Sequence, residues 1–128
     1  MMVNPPAPPR TLDWLIGEIL TNLYVGLGRF RRGEKLSACR FIQGYAIDRI
    51  VELSQLIETE RSLSADPFLL ERRYEFRFPT VAKELPRFMQ GYDRSPESAK
   101  AILDFLEKHV EVNPSIKQAI LTLCEVDG

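Results

Sequence analysis

Apolar residues recur at intervals of three and four along most of this chain, and no window shows the strict alternation of a half-buried strand. The first stripe is Leu12, Leu15, Ile16, Ile19, Leu20, Leu23, Tyr24 and Leu27, which predicts a helix of more than four turns. Thr11 is placed to cap it, and Asp13 sets a negative charge in the first turn where the helix dipole favours one. Arg29, Arg31 and Arg32 complement the opposite end, and Gly33 supplies the stop. Gly17, Gly26 and Gly28 each cost the helix about 1 kcal/mol relative to alanine. A second stripe follows at once: Leu36, Ala38, Cys39, Phe41, Ile42, Tyr45, Ala46, Ile50, Leu53, Leu56 and Ile57. It predicts a helix from Glu34 or Ser37 to about Glu60. The turn between the stripes is short, so the two helices are expected to be antiparallel neighbours.

Four further start signals divide the rest. Asp66-Pro67 combines an N-cap with a first-turn proline and leads into FLLERRYEF. Pro79 opens TVAKELPRFMQG, in which Pro86 removes a backbone hydrogen bond and should kink or split the helix before Gly91 ends it. Ser95-Pro96-Glu97 begins a stripe through Ala99, Ile102, Leu103, Leu106 and Val110, and Asn113-Pro114 begins one through Ile116, Ala119, Ile120, Leu123 and Cys124. The expectation is an all-α helical bundle of five or six helices built on a long antiparallel helical hairpin.

Composition narrows the class. With 128 residues, the chain suits one domain, here residues 11–128, preceded by a proline-rich arm over residues 1–10 that is expected to be extended or disordered. The net charge of −1 shows no nucleic-acid footprint. No apolar run reaches the ~18–20 residues of a membrane span, and the start lacks the apolar segment of a signal peptide. Cys39 and Cys124 each sit inside an apolar stripe, as small buried thiols of a reducing compartment do. A cytoplasmic chain that contacts neither membrane nor nucleic acid is expected.

Little in the chain suggests catalysis. His109 is the one histidine, it lies at a predicted helix end, and no Cys-x-x-Cys spacing accompanies it, so no metal site is expected. GLGRFRRG contains glycines but ends a helix instead of opening one, so it presents no row of free amides to a phosphate. Ile102, Leu103 and Asp104 stand where an Arg-x4–6-His ribonuclease motif would need arginine. Three polar groups remain. Arg29, Arg31, Arg32, Lys35 and Arg40 surround the first turn and could meet a phosphate or an acidic face. Glu71, Arg72, Arg73, Glu75 and Arg77 interleave both signs, as a salt-bridge network does. Asp48 and Arg49 lie beside Tyr45, Ala46 and Leu53, where a charge needs a partner; an internal ion pair and a wall facing a ligand are both open.

The segments YVGLGRFRRGEKLSACRFIQGYAIDRIVEL, DPFLLERRYEFRFP and KELPRFMQGYDRSPESAKAILDFLEKHV together resemble the C-terminal helical domain of antibiotic-type nucleotidyltransferases. Lincosamide nucleotidyltransferases are the nearer likeness and kanamycin nucleotidyltransferase the remoter one, over roughly residues 12–125. In that family an α/β domain carries the Gly-Ser and paired-aspartate motif for Mg²⁺ and nucleotide, while the helical domain completes the acceptor pocket and contributes to a dimer. The paired-aspartate motif is absent from this sequence. A Gly-Lys pair of the family falls on Gly28-Arg29, and the catalytic glutamate before it falls on Val25, with Glu18 two turns earlier a weak substitute.

The resemblance therefore implies a stand-alone or excised substrate-binding and dimerisation domain, with no cofactor and no catalysis of its own. A homodimer or a nucleotidyltransferase catalytic domain is the expected partner, and a small molecule a candidate ligand. The alternative is the acceptor-side half of an adenylyltransferase for a small hydroxylated antibiotic, its catalytic domain supplied in trans. Arg29, Tyr45, Asp48 and Arg49 would then line the acceptor side. One half of a toxin–antitoxin pair is a further alternative.

Overall fold

The computed structural model describes residues 10–61 and 72–125. The proline-rich residues 1–9, the Asp66-Pro67 start and Glu71 lie outside them. Among the described residues there is no strand, and the chain is a packed helical bundle. Its first helix, α1 (Leu12–Arg31), starts where Thr11 accepts a hydrogen bond from the Trp14 amide at 3.1 Å. It ends in a turn whose Gly33 has φ +84°, a conformation that glycine adopts without steric cost.

The second stripe forms one continuous rod in three parts: α2 (Lys35–Arg40), a π-helical turn (Phe41–Tyr45) and α3 (Ala46–Ile57). Its buried residues Ala38, Ile42, Ala46 and Ile50 recur every four positions. At 3.6 residues per turn such a row drifts about 40° per step around a helix. The widened π turn, in which the Ala46 amide reaches back to the Phe41 carbonyl, takes up that drift. The rod lies along α1 in the opposite sense, since Arg29 meets Ser37 while Arg10, before α1, meets Glu52 near the rod's far end. Close approach at the centre depends on Gly26: a Cβ there would stand 2.6 Å from Ile42 Cγ1.

The segment after the rod is more broken than its sequence suggests. Arg72 and Arg73 lie in a turn, with Arg73 at φ 60°, and α4 (Tyr74–Arg77) begins after them; the first part of the expected FLLERRYEF helix, residues 68–71, lies outside the described residues. Pro79 opens α5 (Pro79–Ala82), and the stripe that follows is split, with α6 (Leu85–Phe88) starting beside Pro86. The Glu58 carboxylate, just past α3, accepts from the Thr80 and Val81 amides at 3.0 and 2.9 Å and so caps α5. Ser54 donates to the Ile50 carbonyl and bonds the Tyr74 hydroxyl, whose burial pushes its pKa up to about 12. Arg77, 1% exposed, is held by Glu60 at 3.0 Å.

Helix α7 (Ser95–His109) packs on α1, α6, the π turn and the last helix. Ala99, Ala101, Ile102, Leu103, Phe105 and Leu106 are buried on it, in the core it shares with Leu15, Ile19, Leu23 and Leu27 of α1 and Ile42 of the rod. The loop before α7 is fastened to the π turn by Gln43. Its carboxamide donates to the Gly91 carbonyl at 2.7 Å and to Ser95 Oγ at 3.1 Å, and accepts from the Gly91 amide at 2.8 Å. Helix α8 (Pro114–Cys124), capped by Asn113, lies outermost and buries only Ile120 completely.

Gln43→Ala removes these three bonds and leaves a peptide unit short of its partners. We expect a loss of about 2–3 kcal/mol in urea unfolding, at the upper end for one buried side chain. A loss under about 0.5 kcal/mol would show the clamp to be dispensable.

Candidate functional site

The open part of the molecule lies along α1 and α8. These two helices run in the same direction: Gly17 and Leu20 share a cleft with Ser115 and Ile116, and further along Arg31 donates to the Thr122 carbonyl at 3.3 Å. Three clefts follow this line. One of about 480 Å³ lies between Gly17, Thr21 and Ile116, one of about 680 Å³ between Tyr24 and Gln118, and one of about 340 Å³ beside Gly28, Arg29 and Arg32. Tyr24, 51% exposed, lines all three. Trp14 and Ile116 are each 42% exposed nearby on the same two helices. The lining is mainly apolar and small, with hydroxyls from Thr21, Ser115 and Thr122 and guanidinium groups at one end. Such a surface suits shape-selective binding with few polar anchors.

The four residues proposed for an acceptor wall do not gather around one cleft. Arg29 lines the basic cleft, donates to Ser37 Oγ at 3.2 Å and places its guanidinium 5.5 Å from the centre of the Phe41 ring. The same ring packs edge-on against Tyr45 at 5.2 Å, so Arg29, Phe41 and Tyr45 form a row across the α1–rod seam. Asp48 is exposed. Arg49 pairs with Glu52 at 2.9 Å, one turn on. Glu52 also receives Arg10 at 3.6 Å, and both arginines stand over Trp14, at 4.4 and 5.9 Å from its ring. None of the three clefts contains Tyr45, Asp48 or Arg49.

The basic turn is divided in its attachments. Arg32 bonds Glu34 at 2.8 Å and holds its carboxyl below the usual carboxylate range. Lys35 bonds Asp93 at 2.9 Å, which raises the ammonium above its ordinary value. Arg31 is directed to α8.

His109 borders a separate cleft of about 340 Å³ with Glu58, Glu84 and Lys108. Three of its polar groups are engaged in the fold: Glu58 caps α5, Glu84 pairs with Arg87 at 2.7 Å, and the His109 ring leans on Phe105 at an angle of 56° with ring centres 4.7 Å apart. Among the described residues, no three His, Cys, Asp or Glu side chains lie together in a way that could hold a metal ion. Among them, too, no helix is long and apolar enough to cross a membrane. No protein-family model, curated protein or solved structure matches the chain.

Both described cysteines are free thiols. Cys124, at the end of α8, donates weakly to the Pro96 carbonyl at 3.7 Å, and its burial raises the thiol pKa to about 11 from 9.0. The thiol form is therefore favoured by folding: its contribution to stability is intact below pH 9 and is lost as pH rises through about 11. Site-resolved alkylation at pH 8.5 should modify Cys124 about a hundredfold more slowly than the same cysteine in an unfolded peptide. Equal rates would place α8 away from Pro96 in solution.

Proposed function

We propose that this chain is a binding and assembly module, a helical substrate-binding and dimerisation domain of the nucleotidyltransferase type that works without catalytic groups of its own. The observation that carries the reading is the open α1–α8 face. Tyr24 and Ile116 stand half in water here and line clefts of several hundred Å³. Exposed apolar surface costs about 25 cal/mol per Å² to leave in water, so contiguous clefts of this kind favour a partner. The polar residues support the same view: Arg49, Glu52, Arg32, Glu34, Glu58 and Glu84 hold one another or the backbone in place. In a homodimer of such a module, the open face is covered by the second copy.

An acceptor-side role beside a separate catalytic domain draws support from Arg29 alone of the four candidates, because it borders a cleft.

Two measurements test the proposal. Sedimentation equilibrium should give a mass of twice the 14.7 kDa chain, and a clean monomer at high concentration would overturn the assembly reading. Incubated with Mg-ATP and lincosamides or aminoglycosides, the chain alone should form no nucleotidylated product. Product from the chain alone would overturn the non-catalytic reading.

A further inference from the structure

Helix α1 has two faces. Leu15, Ile19, Leu23 and Leu27 point into the core. On the opposite side Trp14, Gly17, Thr21, Tyr24, Gly28 and Arg31 follow one another at spacings of three and four residues, forming an outward ridge. Trp14, Gly17, Thr21, Tyr24 and Arg31 are exposed, and Gly28 is half-buried. Such spacing is that of a helix–helix seam. Gly17, Thr21 and Tyr24 of this ridge line the open clefts beside α8, and Arg31 at its end is bonded to the Thr122 carbonyl.

The glycines indicate how close it comes. Gly26 is explained inside the chain by the Ile42 side chain, but Gly17 and Gly28 are not. A Cβ at Gly17 would meet nothing within 4 Å, and one at Gly28 only the Arg32 guanidinium at 3.9 Å. Neither has a positive φ that would demand glycine. Each costs α1 about 1 kcal/mol of helix propensity with no return inside this chain. Removing Cβ from the outer face of a helix allows another backbone to approach closely.

Charge indicates which helix it is. The ridge begins beside Asp13, in the first turn, and ends at Arg31 and Arg32. A second α1 laid antiparallel about a two-fold axis brings Gly17 of one copy opposite Gly28 of the other, and Thr21 opposite Tyr24. The same register brings Asp13 opposite Arg31 and Arg32. All three pairings have residue numbers that sum to 44 or 45, so a single two-fold between Asn22 and Leu23 satisfies them together. A parallel arrangement would place like charges side by side. This isologous, self-complementary pattern needs no other chain.

We propose that the outer ridge of α1 is the docking surface for a second copy of this chain, joined antiparallel through Gly17–Gly28, Thr21–Tyr24 and Asp13–Arg31/Arg32 contacts. The inference rests on the assembly reading above and adds the surface and its register. Exposed Ile116 on α8 flanks the ridge and is covered with it.

Sedimentation velocity on the full chain, with circular dichroism to confirm folding, tests this in three variants. Asp13→Arg should raise the dimer dissociation constant at least about tenfold. The charge swap Asp13→Arg/Arg32→Asp, which leaves the Arg31 bond to the Thr122 carbonyl of α8 in place, should restore dimerisation towards the wild-type value. Gly17→Gln should raise helix content and thermal midpoint at dilutions where the chain is monomeric, yet weaken the dimer, since the added side chain stands between the two backbones. A dimer indifferent to all three substitutions overturns the α1 surface and leaves the assembly reading standing. A monomeric wild-type chain overturns both. Loss without recovery in the charge swap overturns the antiparallel register.

Discussion

The carboxamide of Gln43 fastens the helical rod to the loop from which α7 starts. It pairs with both the amide and the carbonyl of Gly91, as a neighbouring strand would, and spends its remaining reach on Ser95. Gln43 is 8% exposed, so these bonds form in a medium where unpaired amides cost 1–3 kcal/mol or so. Two local conditions make the clamp possible. Gly91 sits at φ +116°, which brings its peptide into reach, and the π turn places a polar residue on the inner side of an otherwise apolar row. Gln90 and Asp93 extend the attachment through Ser98 and Lys35, so α6, the loop and α7 are held to the rod as one unit. Helix α7 then completes the pocket of apolar residues that α1 and the rod cannot fill alone.

Elements bounded by local chemistry were legible in the sequence, and those set by distant contacts were not. Thr11 and Asn113 cap their helices through bonds to amides two or three residues on, so their signal is contained in a few positions. The split near Pro86 is equally local. The start at Ser95-Pro96 was legible too, since α7 begins at Ser95, but the use of the Ser95 hydroxyl was not: it is buried and accepts from Gln43 across the fold, with Arg94 in the flanking position. The π turn left no distinct trace in the sequence, because the four-residue spacing of Ala38, Ile42, Ala46 and Ile50 is also ordinary for one face of an α-helix. Nothing adjacent to Arg73 announced its left-handed conformation.

The same distinction holds for the candidate site. Arg49 was recognisable as a charge needing a partner, but the partner is Glu52 and the pair is shared with Arg10 and Trp14. Periodicity shows that Tyr24 belongs to an apolar stripe without showing where the stripe's edge meets water. That edge depends on where α8 settles against α1, which is fixed by tertiary contacts such as Arg31 to Thr122 and Cys124 to Pro96. A stripe as wide as that of α1 contains more apolar positions than one bundle can cover.

Excess width and unexplained glycines have a common physical reading. Within a monomer, Gly17 and Gly28 only weaken α1, and Trp14 and Tyr24 only add apolar surface to water. Both costs are offset when another helix lies along the ridge, because glycine lowers the distance between backbones while the aromatic rings fill the space on either side. Gly26 shows the principle already at work inside the chain, where the missing Cβ lets α1 meet Ile42 and Phe41 directly. The inner and outer faces of α1 thus use one device, a glycine amid larger apolar residues, and on the inner face its partner is visible in the rod.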